Sequence, residues 1–531
     1  MRYLRRRKAY SIRMLDRRRF LQSLAALGLA AAQRARTQPV NTQPRFSANP
    51  FSLGVASGYP LPGGFVIWTR LAPVPLASGG GMPPEVVPVN WEVARDEQMH
   101  NVLASGTAYA APDEAHSVHV EVSSLASARR YWYRFSAGEA TSAVGSARSA
   151  PSPSARTSRL RFAFASCQHY EQGYFGAYRH IVADEPELIV HLGDYIYEAS
   201  FGREPVRSHG MAEAITLDDY RRRYALYKTD PDLQAAHLAC PWLITWDDHE
   251  VENDYANDRS QALDAPEWFL ARRAAAYKAW YEHMPVPRWM IPFGPNARIY
   301  TRSGHGSLAN FFLLDDRQFR SHEVCPRPGR GGSNSVDPAQ CAELGDAKRT
   351  MLGATQEEWL SASLESSRTH WHIVAQQTRM AQFDELAGPG RRAWTDSWDG
   401  YPAARQRLLQ SLAAKSNPVV IGGDIHAFNV NQLKSDYDDP ASPVVASEFV
   451  GTSISSQAWP QERIDALRPD NPHVLFADTR YRGYVRVDVT PQRLQADLRG
   501  LDTVKTRESK CTTLASFVVE DGKPGPRNIN G

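Results

Sequence analysis

Cysteine is scarce in this chain, five residues in 531. That is too few to staple a fold of this length, so stability must come from apolar cores, for which 42% hydrophobic residues are ample. Charge of one sign is also missing. Lys and Arg number 61 against 58 Asp and Glu, and residues 1–36 carry a basic run that inflates the formal excess of +3. The remainder gives no electrostatic case for nucleic-acid binding. No run is long and apolar enough to cross a bilayer, since the mild stretch at 23–32 has only about ten residues. No internal repeat is evident, which argues against a solenoid or propeller.

The short apolar stretch follows Arg17-Arg18-Arg19-Phe20-Leu21. Two consecutive arginines before x-Phe-Leu and a signal-length apolar core match a twin-arginine export signal, with cleavage expected near Ala30-Ala31-Ala32. Residues 1–36 are therefore expected to be a leader, the translocase a transient partner, and the mature protein periplasmic or secreted. That route carries folded proteins, often with a cofactor inserted, and export permits disulfides. Cys325 and Cys341 bracket a Pro/Gly/Ser-rich loop whose closure is worth roughly 3 kcal/mol. Cys240 with Cys511 is a second expected pair, leaving Cys167 over.

From 51 to about 150, short extended runs alternate with turn signals: 65–70, 87–93, 118–122 and 131–135 among roughly seven. They predict a small β-sandwich over 48–150, with no cluster of metal-type residues. A linker, Ser149-Ala150-Pro151-Ser152-Pro153-Ser154, ends it. Beyond it strands alternate with helices. Apolar strands are predicted at 160–165, 188–192, 242–246, 311–314, 372–376 and 419–421, and helices near 174–183, 218–227, 232–239, 268–283, 356–364 and 403–414. This is an α/β domain with a mixed sheet over 158–520, closed by a final hairpin at 484–489 and 494–498.

Four of these strands stop at runs of Asp, His, Cys or Asn: Ala165-Ser166-Cys167-Gln168-His169, Leu192-Gly193-Asp194-Tyr195-Ile196-Tyr197-Glu198, Trp246-Asp247-Asp248-His249-Glu250-Val251-Glu252-Asn253 and Ile421-Gly422-Gly423-Asp424-Ile425-His426. Strand C-termini converge at one edge of an α/β sheet, where such sheets place their sites. Any one segment could be a turn or a helix cap. Together, buried carboxylates and histidines repel one another unless cations neutralise them. Oxygen ligands such as Asp194, Asn253 and Asp424 favour Ca²⁺, Mg²⁺ or Fe³⁺, and His426 adds a nitrogen. Cys167 is either a thiolate ligand or a buried structural thiol. Arg317, Arg320 and Arg379 follow strands and could grip phosphate. Gly304-His305-Gly306-Ser307-Leu308 lacks a nucleophile-elbow pattern, so no covalent serine intermediate is expected.

These motifs, with Asp219-Tyr220-Arg221-x-x-Tyr224-x-x-Tyr227, Leu314-Asp315-x-Arg317-x-x-Arg320-Ser321 and the N-terminal Gly54-Val55-Ala56-Ser57-Gly58 leading to Trp68-Thr69-Arg70, resemble the PhoD-type alkaline phosphatase/phosphodiesterase family. The resemblance covers nearly everything after the leader. It implies a four-layer α/β/β/α metallophosphoesterase-like sandwich after the small β-sandwich, holding Fe³⁺ with Ca²⁺. Cys167 and Tyr220 match the family's ligands to iron, and Asp194 its bridging aspartate. Tyr197, Asn253, Asp424 and His426 match positions on or beside calcium, with Asp247, Asp248 and His249 as ligands or supports. Asp194, Asn253, His249 and Arg317 are then the groups expected to act on the substrate, a small-molecule phosphate ester without nucleic-acid specificity. The chain is expected to act as a monomer. Purple acid phosphatases also use tyrosinate-bound iron but need further paired histidines that this chain does not offer. A non-enzymatic alternative is a secreted calcium-binding protein with a degenerate hydrolase body, against which the intact ligand set speaks.

Overall fold

The computed structural model describes residues 39–529; the expected leader lies outside them. Two large sheets dominate. The ten-stranded sheet runs, from one edge to the other, Lys523–Asn528, Cys511–Glu520, Arg493–Leu501, Arg482–Val489, Leu160–Ala165, Leu188–Leu192, Trp242–Thr245, Val55–Leu61, Gly64–Arg70 and Ser117–Val122. The seven-stranded sheet runs Thr301–His305, Ala309–Leu313, Trp371–Ala375, Pro418–Gly422, Val444–Val450, Phe428–Lys434 and Val474–Asp478. Both have parallel centres and antiparallel flanks.

The two-residue period of a strand explains the layering. Phe311, Leu313, Ile373, Ala375, Val419 and Ile421 point into the core shared with Phe162, Phe164 and Val190 of the larger sheet. The intervening Phe312, Val374 and Val420 face outward, onto Leu360 and Leu364 of the helix Ala354–Ser366 and Leu408, Leu409 and Leu412 of the helix Pro402–Ala413. The helices Ala177–Ala183, Leu217–Lys228, Pro231–Ala239 and Pro266–His283 lie with the larger sheet. The helix Leu217–Lys228 starts on a capping box in which Thr216 and Asp219 exchange hydrogen bonds with each other's backbone N–H.

The N-terminal strands build a sandwich: Val55, Phe65, Ile67 and Val120 pack against Val87, Val89, Val93, Tyr133 and Phe135 of a separate five-stranded sheet. One half of that sandwich is continuous with the catalytic sheet, because Val55–Leu61 pairs in parallel with Trp242–Thr245 at Gly58 and Trp242. The C-terminal hairpin forms at Arg482–Val489 and Arg493–Leu501, but two further strands follow it to the sheet edge.

Cys325 and Cys341 are joined, as expected. The second expected pair is absent: Cys240 and Cys511 are free thiols. Cys511 opens a strand five places from the one that follows Cys240. At about 4.8 Å per strand that is roughly 24 Å, far beyond a disulfide's reach.

Candidate metal centre

The four strand-end segments meet at one place, as their order in the sequence suggested. Leu160–Ala165, Leu188–Leu192 and Trp242–Thr245 deliver Cys167, Asp194 and Asp247–Asn253 from the larger sheet, and Pro418–Gly422 delivers Asp424 and His426 from the smaller. Ser166 pairs with Ser453 across the seam between the sheets. Cys167, Asp194, Asp424 and His426 all adopt positive φ, 59°, 55°, 66° and 52°. Four non-glycine residues in this sparsely populated region, all at one site, mark backbone held by its surroundings for the sake of side-chain direction. Gly193 sits at φ 103°, where a Cβ would lie 2.6 Å from the Asp247 amide nitrogen, so the loops of Asp194 and Asp247 approach closely only because residue 193 has no side chain.

Glu250 locks these loops together. Its carboxylate accepts the amide N–H groups of Asp194 (3.1 Å), Asp247 (2.8 Å) and Tyr195 (2.5 Å). Glu198 does the same one layer out: Oε2 meets His249 Nδ1 at 2.8 Å and Oε1 accepts the Asn253 N–H at 2.9 Å. Both glutamates stood within the quoted motifs, yet their positioning role follows only from the geometry.

Two groups of ligand atoms share Asp194. Cys167, Asp194 and His426 offer atoms mutually within 4.8 Å, and so do Asp194, Asp248 and His249. A residue common to both groups stands where a bridging ligand would. Tyr197 joins the first group: its hydroxyl lies 2.8 Å from Asp194 Oδ2 and 3.2 Å from His426 Nε2, and accepts from Ser456 Oγ at 2.8 Å. His426 Nδ1 is 2.5 Å from the Gln457 carbonyl, so it carries the proton and Nε2 keeps its lone pair toward the cluster. Asp424 accepts from Thr378 Oγ1 at 2.6 Å.

The donor set fits cations. Asp194 Oδ1 and Asp247 Oδ2 are buried without a hydrogen-bond partner, a costly condition for carboxylate oxygens unless an ion takes them up. Burial pushes the Asp194 carboxyl well above the usual range, with His249 opposing and Asp248, Asp247 and Glu250 adding to it. Burial likewise raises Glu250 to about 8 and Asp424 to about 7. Burial opposes the charge on His249, but Glu198, Asp248 and Asp194 outweigh it and raise its pKa well above the ordinary imidazole value. Protein groups alone leave this much negative charge under-neutralised.

Tyr220 stands elsewhere. Its hydroxyl donates to the Val251 carbonyl and accepts from Arg272 Nε at 2.9 Å, on the far side of the Asp247–Asn253 turn. The phenol hydrogen-bonded to Asp194 and His426 is Tyr197, and Tyr220 makes neither contact. Arg317 is only 1% exposed and does not reach the cavity. It bonds Asp247 through Nε and grips Asp396 with both terminal nitrogens, at 2.7 and 3.0 Å. Arg320 also bonds Asp396 and pairs with Glu323. Both tie the site's acidic residues to the protein around them. Asp396 follows the short strand Ala393–Trp394, and no pattern in the sequence singled it out.

Here opens a cavity of about 290 Å³, lined among others by Asp194, Asp248, His249, Asn253, Asp424 and His426. Arg379, the apolar Phe383, Trp394 and Trp459, and the acidic Asp254, Glu385 and Asp396 line it too. The combination is a candidate metal-binding cluster in a cavity of ligand size. Among the described residues, no helix is long and apolar enough to cross a membrane.

Comparison with known proteins agrees with this architecture. The PhoD-like phosphatase family model matches residues 162–498, and the N-terminal domain of PhoD-like phosphatases matches residues 34–151. The chain is 43% identical to alkaline phosphatase D of Bacillus subtilis (strain 168) over 532 residues, covering 97% of this chain and 89% of that protein. A solved structure described as that of PhoD superposes with a TM-score of 0.86 at 43% identity, covering 92% of this chain and 93% of that one. With two family domains in register and the fold shared over nearly its whole length, the chain belongs to the PhoD-like phosphatase family and is a phosphoesterase.

Proposed function

We propose that this protein is an alkaline phosphatase, acting also on some phosphodiesters, that works with Fe³⁺ and Ca²⁺ and is exported through the twin-arginine route to the periplasm or beyond. The observation that carries the reading is Asp194: buried, one oxygen without a partner, and shared by two groups of ligand atoms. A thiol, a phenol and a carboxylate together, Cys167, Tyr197 and Asp194, suit ferric iron. Asn253, Asp424 and the remaining oxygens suit calcium. Once bound, such ions supply acidified water and positive charge for the phosphoryl oxygens. The Arg-Arg-Arg-Phe-Leu leader supports export.

The chain's own residues do the rest. Glu250 fixes the distance between the Asp194 and Asp247 loops, and Arg317 holds Asp247 and Asp396 in place. Glu198 holds His249 Nδ1, which leaves Nε2 as the ring nitrogen that would serve the group of Asp194 and Asp248 as a ligand. Asn253 orients from the same turn, its N–H tied to Glu198.

Replacing Asp194 by Asn tests this. Hydrolysis of a chromogenic phosphomonoester is expected to fall at least 10³-fold, on the order of 4 kcal/mol of lost transition-state stabilisation, together with loss of bound metal. Full activity in a folded Asp194→Asn protein would refute the reading.

A further inference from the structure

Three arginines follow strands of the catalytic body toward the site, and two of them, Arg317 and Arg320, are ion-paired with Asp396. Arg379 differs. It is only 6% exposed. Its Nε has no hydrogen-bond partner, and among the described residues its side chain forms no hydrogen bond or ion pair. It is also the one arginine or lysine among the described residues that line the cavity holding Asp194, Asp248, His249, Asp424 and His426.

The surroundings keep it in this state. Its guanidinium carbon lies 4.0 Å from the centre of the Phe383 ring, and both residues line the cavity. The carboxylates that act on it through space are Asp399, Glu385, Glu448 and Asp424. Three of these have closer partners. Asp399 is paired with Arg405 at 2.5 Å, Glu448 accepts the amide N–H groups of Met380 and Ala381 and a bond from Asn431, and Asp424 accepts from Thr378. Glu385 lies 3.9 Å from Arg463. Arg379 therefore forms an ion pair with none of them, and of the four only Glu385 keeps a buried oxygen without a partner. A buried, fork-shaped cation without an anion is costly unless an anion arrives.

We propose that Arg379 is the substrate-binding cation of this site, donating to anionic oxygens of the phosphoryl group opposite the Asp194 cluster. The proposal rests on the phosphoesterase reading and adds a preference to it. A phosphate monoester carries one more negative charge than a diester, so an otherwise unpaired guanidinium favours the monoester. The aromatic walls beside it, Phe383, Trp394 and Trp459, then receive the organic part of the ester.

The test is orthophosphate binding by calorimetry to the metal-loaded wild type and to Arg379→Met, with KM and kcat for a phosphomonoester and a phosphodiester. Losing charge-assisted hydrogen bonds should weaken phosphate binding and raise the monoester KM by about ten- to a hundred-fold. The diester KM should rise less, metal content should be unchanged, and Arg379→Lys should recover part of the loss. Should Arg379→Met not fold, Arg379→Lys and Phe383→Leu carry the test, each expected to weaken phosphate binding several-fold. Unchanged phosphate affinity in the folded variants, or no phosphate binding by the wild type, overturns the proposal. A wild type that binds phosphate but hydrolyses neither ester refutes the phosphoesterase reading, while the affinity series still judges Arg379.

Discussion

Tyr197 and Tyr220 show how much depends on a single side chain's direction. Both stand in motifs shared with the family, and both are fully buried, 2% and 0% exposed. Tyr197 follows Asp194 by three residues in the turn beyond a strand and reaches Asp194 Oδ2. Tyr220 lies on the helix Leu217–Lys228 and spends its hydroxyl on Val251 and Arg272. If the proposed iron is held as the geometry suggests, a phenolate–iron absorption band belongs to Tyr197. Visible spectra of Tyr197→Phe should lose the band, with activity reduced at least tenfold, whereas Tyr220→Phe should keep it. The reverse result would reinstate Tyr220 as the ligand. The choice was not legible in the sequence, because spacing places a residue on an element but not its hydroxyl beside a thiol. Cys167, Asp194, Asp424 and His426 were legible because each directly follows a strand end, which fixes its position to within a turn. Arg317 was legible as a candidate, but its partner Asp396 is visible only in the structure.

At the scale of elements, strands with alternating or wholly apolar patterns were read to within a residue or two, among them Leu188–Leu192, Trp371–Ala375 and Pro418–Gly422. Phe428–Lys434 and Val444–Val450 escaped notice because they carry buried polar residues, Asn429, Asn431, Ser447 and Glu448, that break the apolar pattern. These pair across strands, as Asn431 does with Glu448 at 2.8 Å. The helix Leu217–Lys228 makes a different prediction at its last residue. Lys228 is 1% exposed, its ammonium 4.4 Å from the Trp68 ring centre, and burial lowers its pKa from 10.5 to about 7. The unfolded chain thus binds the proton more readily between about pH 7 and 10.5. This group's contribution to stability is fully favourable above that window and is lost progressively as pH falls through it. Denaturant unfolding of wild type and Lys228→Met across pH 7–10 should show the variant gaining most at neutral pH, by a few kcal/mol at the upper limit, and nothing near pH 10.5. A constant difference across that range would contradict a buried, deprotonating lysine.

Over the whole molecule, the sequence conveys two textures, a β-rich head and an α/β body, but not how they join. The parallel pairing of Gly58 with Trp242 is a contact between residues 184 apart, and no local period announces it. It makes the head's strands an extension of the catalytic sheet, so the two units share a hydrogen-bonded sheet as well as a linker. The Tyr59 hydroxyl bonding the Ile244 carbonyl at 2.8 Å and Trp68 Nε1 bonding the Glu282 carbonyl at 3.1 Å strengthen the same seam. The strand Trp242–Thr245 at this seam also leads into the Asp247–Asn253 turn, so the head buttresses the element that carries Asp247, Asp248, His249 and Asn253. The account's central claim concerns what those ligands hold. Elemental analysis of the purified mature protein, alongside phosphomonoester hydrolysis at alkaline pH with and without added Ca²⁺, tests it most directly. The account predicts bound iron and calcium-stimulated turnover that chelation abolishes. Protein that is free of iron and fully active, with or without zinc in its place, would contradict the roles given to Cys167 and Tyr197.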